Sequence, residues 1–204
     1  MIVRELENVE KNRALELSLL HQRAFPGFFL TQLGVSFLNT LYKGYLEDEN
    51  SGILIAEEER IIVGLIAYSK DYPKFFKNLI KHRIIQFAWC SFIAFLHHPS
   101  FAKRLLMAFK KSDSVVKDKD YVELASICVD PAFKGRGVGS ELIDYLKNMV
   151  NNSKYAYISL ETDAVGNDAV NKFYIKNGFT LEKQYLSSEE RKMNEYRFYL
   201  LDEK

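Results

Sequence analysis

Apolar positions along the chain change period several times, and each change marks an element. Residues 1–5 alternate weakly and predict a first strand. Between Val9 and Phe25, Ala14, Leu15, Leu17, Leu19 and Leu20 recur at helical spacing. Pro26 and Gly27 then break the chain. A second helix is predicted from about Thr31 to about Tyr45, with Leu33, Phe37, Leu38, Leu41 and Tyr45 along one side. After a polar turn over 47–52, residues 53–56 and 61–68 form short runs rich in β-branched side chains. The polar stretch 57–60 between them makes the pair an antiparallel hairpin.

Residues 71–119 break this rhythm. They are aromatic and basic, punctuated by Pro73 and Pro99, with helical stretches expected over 84–96 and 101–109. A helical insertion between the third and fourth strands is expected there. Beyond it, 121–129 reads as a strand that ends at Asp130-Pro131. A glycine-rich loop follows, then a helix over 140–149 with Leu142, Ile143, Leu146 and Met149 on one face. A strand over 155–161 precedes a short helix over 167–177, closed by Gly178 as a C-cap. A last hairpin is expected from 179–185 and 196–200, with a long charged connection. Alternating strands and helices in the middle, with hairpins at both ends, imply an α/β (α+β) fold built on a mixed sheet. The 204 residues, 48% hydrophobic and 14% aromatic, suit a single domain over 1–204 with room for the insertion.

A formal charge of +1, from 28 basic and 27 acidic residues, gives no long-range electrostatic reason for a nucleic-acid or membrane partner. A local anion site is not excluded. Cys90 and Cys128 make neither a disulfide framework nor a zinc motif, so no metal is expected. Residues 1–10 carry three glutamates and no apolar run, and the stretch 84–96 is shorter than the roughly 20 residues of a spanning helix. The expectation is a cytoplasmic protein without a membrane span.

Candidate chemistry concentrates in Asp130-Pro131-Ala132-Phe133-Lys134-Gly135-Arg136-Gly137-Val138-Gly139-Ser140, between a strand and a helix. Glycines let the backbone turn tightly, aim successive N–H groups inward and admit a ligand where a Cβ would stand. The helix N-terminus adds its positive dipole end, and Lys134 and Arg136 add charge. A Walker A loop would need Lys-Ser/Thr after the glycines, and a dinucleotide fingerprint GxGxxG; this run is GxGxG.

The run from Glu123 to Pro131, followed by Lys134-Gly135-Arg136-Gly137-Val138-Gly139, resembles the cofactor motif of the GNAT acetyltransferases. Lys134 stands where that family usually has Arg or Gln. A second stretch, Asn167-Asp168-Ala169-Val170-Asn171-Lys172-Phe173-Tyr174-Ile175-Lys176-Asn177-Gly178-Phe179, is similar to the family's later Asn-…-Phe-Tyr-x-x-x-Gly-Phe segment. The resemblance covers about 121–185 closely and the first hairpin loosely, and leaves 71–119 unmatched. It implies a mostly antiparallel sheet with splayed central strands, helices on both faces, and acetyl-CoA as co-substrate. The strand end Ile127, Cys128 and Val129 would meet the pantetheine and the thioester carbonyl. Lys134, Gly135, Arg136, Gly137, Val138, Gly139 and Ser140 would hold the pyrophosphate, and Asn167 would hold the pantetheine arm or support the wall beside it.

The catalytic pair implied is Tyr174, facing the leaving sulfur, and Glu123, the general base. With a thiol near ~8.5 and tyrosine near ~10, full proton transfer is uphill by roughly 2 kcal/mol, so a hydrogen bond to the thiolate is the expected role. The acceptor expected is a primary amine of a small molecule, an amino sugar or nucleotide-linked amino sugar among the candidates. Polyamines, amino acids, protein N-termini and an O-acceptor stay open. The rival reading is a non-catalytic acyl-CoA-binding or interaction module. The insertion is expected to be either a lid over the acceptor or a homodimer interface.

Overall fold

The computed structural model describes residues 1–97, 120–151, 154–187 and 190–200. Seven strands form one sheet: β1 (Ile2–Glu5), β2 (Ser51–Glu58), β3 (Ile61–Ser69), β4 (Tyr121–Val129), β5 (Tyr157–Asp163), β6 (Thr180–Leu186) and β7 (Lys192–Tyr199), in the order β1-β2-β3-β4-β5-β7-β6. Every neighbouring pair is antiparallel except β4 with β5.

Strand alternation divides the core between two faces. Ile53, Ile55, Leu65, Ala67 and Cys128 pack under α1 (Ala14–Ala24), α2 (Phe29–Gln32), α3 (Val35–Glu47) and the insertion helix α4 (Tyr72–His97). Leu54, Ala56, Ile66, Val122, Leu124, Ile158 and Leu160 pack against α5 (Val138–Val150), with Tyr174 of α6 (Asp168–Lys176) on the same side. Gly64 allows the close approach of α5 to β3: a Cβ there would lie 2.8 Å from Val138 Cγ1.

Four elements depart from the sequence expectation. The first helix begins at Ala14, after a 3₁₀ segment Asn8–Arg13. The second is interrupted at Gly34, whose φ of +99° is left-handed and separates α2 from α3. Pro73 does not punctuate the insertion. It lies in the first turn of α4, where a missing N–H breaks no helical bond, and Asp71 Oδ1 accepts from Lys74 N–H at 3.2 Å. The final hairpin has a short connection because β7 already begins at Lys192. The helix expected over 101–109 and the punctuation at Pro99 lie outside the described residues.

Helix α4 sits between strands β3 and β4 in the chain and packs on α3. Tyr45 and Phe75 rings lie 4.2 Å apart and Phe37 and Phe87 4.7 Å apart. Gly44 gives Leu79 its space, since a Cβ there would stand 2.3 Å from Leu79 Cδ1.

Candidate functional site

The parallel pairing of β4 and β5 is short. Tyr121 opposes Tyr157, Val122 opposes Ile158, Glu123 opposes Ser159, and there the register ends. Both strands continue, β4 to Val129 and β5 to Asp163. The cause is visible on the other side of β4. Ala67 pairs with Ser126 but Tyr68 with Leu124, leaving Ala125 as a bulge. A bulge bends its strand and sharpens local twist, and this one falls where β4 leaves β5.

The open edge belongs to particular residues. Asp130 N–H donates to Val63 O at 2.8 Å. Strand alternation then turns the backbone groups of Cys128 toward β3 and those of Ile127 and Val129 toward the gap. The Cys128 thiol is buried, which pushes its pKa well up and keeps it an unreactive thiol.

The gap leads into the glycine loop. Asp130 anchors it: its carboxylate accepts from Ala132 N–H at 3.0 Å and from Arg23 Nε at 2.9 Å, tying α1 to the loop. Partial burial would raise the pKa of Asp130, but these two partners hold it below the ordinary carboxylate value. Gly135 and Gly137 have φ of +81° and +85°, and a Cβ on either would meet nothing within 4 Å. The backbone conformation demands glycine there, and the space beside it is free for a ligand. Gly137 caps α5 without a side-chain bond, so the first-turn amides of Val138, Gly139 and Ser140 face an uncapped helix end. This is a cradle that fits a pyrophosphate. Gly139 has a second role, since its Cβ would lie 3.0 Å from Phe173 Cζ. Lys134 is exposed. Arg136 lies over the Phe133 ring at 4.7 Å and bonds Glu58 at 3.1 Å, so its charge is shared with that carboxylate.

Glu123, 8% exposed, stands at the last rung before the strands part. It lies near Tyr45 of α3, Tyr72 of α4, Tyr121 of β4 and Tyr185 of β6. Burial raises the pKa of all four phenols; the negative charge of Glu123 is the next cause for Tyr72 and Tyr121, and a lesser one for Tyr45, behind Tyr72 and Tyr42, and for Tyr185, behind Glu161 and Glu195. Glu161 of β5 lies near Tyr72 and Tyr121 and bonds the Tyr185 hydroxyl. Tyr121 stacks on Tyr157 at 5.8 Å and 12°. These tyrosines and Glu161 were missed by sequence reasoning. They come from five separate elements and carry no local motif.

Tyr174 sits on the opposite face of the sheet. Its ring packs against Phe173, Phe179 and Tyr196 with centroids at 5.4, 5.8 and 5.9 Å. Burial raises its pKa well above the usual phenol value, so the hydroxyl stays a donor. Among the described residues that hydroxyl has no hydrogen-bond partner. Asn167 is half-buried and tied to the end of β5, where its Nδ2 donates to Thr162 Oγ1 at 2.7 Å. Asn171, also unassigned by the sequence, donates to Asp163 O and Asn167 O and accepts from Asn194 and Tyr196, locking α6 to β5 and β7. No group of three or more His, Cys, Asp or Glu side chains among the described residues is placed to hold a metal.

Known structures share this fold. An aminoglycoside 6'-acetyltransferase type Ii superposes with a TM-score of 0.66 at 13% identity, covering 100% of each chain. A ribosomal-protein-alanine N-acetyltransferase from Brucella melitensis gives 0.62 at 15% identity, covering 98% of this chain and 100% of that one. An N-acetyltransferase from Staphylococcus aureus Mu50 gives 0.61 at 14% identity, covering 98% of each. At such identities the likeness speaks for the fold. No curated protein matches the chain in sequence. The model of the Acetyltransferase (GNAT) family matches residues 15–179, which include the open strand edge, the glycine loop and α6. On that match and this fold, the chain belongs to the GNAT family of acetyltransferases.

Proposed function

We propose that the chain transfers the acetyl group of acetyl-CoA to a primary amine of a small molecule. The observation that carries the reading is the position of Glu123, at the point where β4 and β5 part, with the glycine cradle at the far end of the same open edge. From Glu123 to Val129 the strand runs roughly 20 Å. Within that reach the loop Lys134–Ser140 would hold the pyrophosphate on backbone amides, and Ile127 and Val129 would pair with the extended arm through their free edge. Asn167 would shape the wall beside it through its bond to Thr162. The co-substrate supplies an acetyl thioester, which is reactive toward a neutral amine.

The residues of this chain do the rest. Glu123 takes the amine proton, directly or through water. Tyr174 donates a hydrogen bond to the sulfur as its charge develops, and its raised pKa makes that bond, rather than full proton transfer, its contribution. The acceptor lies on the α1–α4 side of the gap. There two carboxylates, Glu123 and Glu161, attract a cationic amine, and the tyrosines offer flat apolar faces with hydroxyl edges. An amino sugar has that combination of features. The first turn of α4 brings Tyr72 into this wall, which supports the insertion as part of the acceptor site. An acceptor screen with acetyl-CoA, read by free thiol release, tests the proposal. Acetyl-CoA binding without turnover on any amine, in a protein where Glu123→Gln changes nothing, would refute it.

A further inference from the structure

Helix α4 presents one face to the core and another to solvent, and the outward face is organised. Phe75, Leu79 and Phe87 point inward, and Arg83 on the inner side pairs with Glu47. At 100° per residue, Lys74, Lys77, Lys81, Ile84, Ile85, Ala88, Trp89 and Phe92 fall on the opposite side, within about 160° of arc. All of them are exposed, Ile85 at 82% and Trp89 at 83%. The first half of the face is therefore three lysines, and the second half is apolar. No acidic residue occurs anywhere in Tyr72–His97.

The chain's near-neutral charge conceals a segregation. Residues 71–119 carry ten basic and three acidic side chains, leaving eighteen basic and twenty-four acidic for the rest. A solvated helix gains nothing from exposed tryptophan, isoleucine and phenylalanine together. Beside a cluster of lysines, that pattern matches a bilayer interface, with apolar groups at the acyl boundary and cations on anionic headgroups. No helix among the described residues is long and apolar enough to cross a membrane.

We propose that the exposed face of α4 docks on an anionic lipid bilayer, with Ile85, Trp89 and Phe92 inserted at the interface and Lys74, Lys77 and Lys81 on the headgroups. The helix then lies on the membrane, with its first turn still at the acceptor site. The proposal does not depend on which acceptor the enzyme uses.

Trp89 is the chain's one tryptophan, so intrinsic fluorescence reports directly on this face. The full-length protein is titrated with phosphatidylcholine vesicles, with and without phosphatidylglycerol, by co-sedimentation and emission. The expected result is binding to the anionic vesicles with a blue shift of Trp89. Each lysine is worth about five-fold in partitioning, so zwitterionic vesicles should bind on the order of 100-fold more weakly. Lys74→Glu with Lys77→Glu and Lys81→Glu should abolish that preference. Ile85→Ser with Phe92→Ser should release the protein from both kinds of vesicle. Because these side chains are exposed, melting temperature and CoA affinity should be unchanged, which separates lost docking from lost folding. Absence of binding, equal binding to both vesicles, or an unshifted Trp89 would overturn the proposal. So would a dimer in sedimentation velocity that Ile85→Ser dissolves, since a second copy would then cover the face.

Discussion

Replacing Tyr174 with Phe removes one oxygen and little else, which makes it the sharpest test of the catalytic reading. The ring contacts to Phe173, Phe179 and Tyr196 involve centroids and edges that Phe retains. Among the described residues the hydroxyl has no hydrogen-bond partner, so none of their donors or acceptors is left orphaned. A typical protein hydrogen bond contributes about 1 kcal/mol net; with none lost, stability should change by less than that. If the hydroxyl faces the leaving sulfur, its loss removes a donor aimed at developing charge, worth roughly 10²–10³ in rate, or about 3–4 kcal/mol. Single-turnover thiol release at saturating acetyl-CoA and amine reads the rate, calorimetry reads CoA affinity, and a thermal melt reads stability. The expected pattern is a rate about 100-fold lower with affinity and melting temperature intact. Because burial raises the Tyr174 pKa, the wild-type rate should not fall through phenol ionisation below about pH 10. A rate within about threefold of wild type, or a loss of affinity as large as the loss of rate, would refute the assignment.

Other substitutions probe the frame. Glu123→Gln should depress turnover near neutral pH and recover partly at higher pH, where more of the amine is neutral unaided; equal loss at every pH would indicate a structural role. Gly137→Val should weaken CoA binding measured by calorimetry, since the side chain enters the cradle, with roughly 1–2 kcal/mol of strain from its left-handed φ. Gly139→Ala crowds Phe173 and should lower stability by about 1–3 kcal/mol, with Phe173→Leu restoring part of it in a denaturant melt of the double variant. His21, 2% exposed and bonded through Nδ1 to Tyr42 at 2.7 Å, has its pKa lowered by burial from 6.5 to about 4. The unfolded imidazole therefore takes up its proton first as pH falls through 6.5. Stability is lost between about pH 6.5 and 4, by about 3 kcal/mol at most. Urea titrations at pH 7 and 4.5 should show that slope in the wild type and a shallower one in His21→Phe.

The sequence by itself determined the elements whose signals are local. Strand β4 was legible from 121 to 129 because β-branched and apolar residues run up to Asp130-Pro131. The cradle was legible because only glycine tolerates the φ values of Gly135 and Gly137. The helix before Gly178 was legible from its own C-cap, with φ of +78°. Gly34 carried a similar local signal that the apolar period around it obscured, and so α2 and α3 were expected as one helix. Tertiary structure decided what depends on register and on distant partners. Nothing in the order Glu123, Leu124, Ala125 announces that Ala125 bulges, or that the β4–β5 pairing ends opposite Ser159. Those depend on β3 and β5, strands more than thirty residues away on either side. The tyrosines around Glu123 gather from α3, α4, β4 and β6 only when the sheet is formed. The two faces of α4 likewise became distinct only once α3 covered one of them, because a helix apolar on several sides does not say which side is buried.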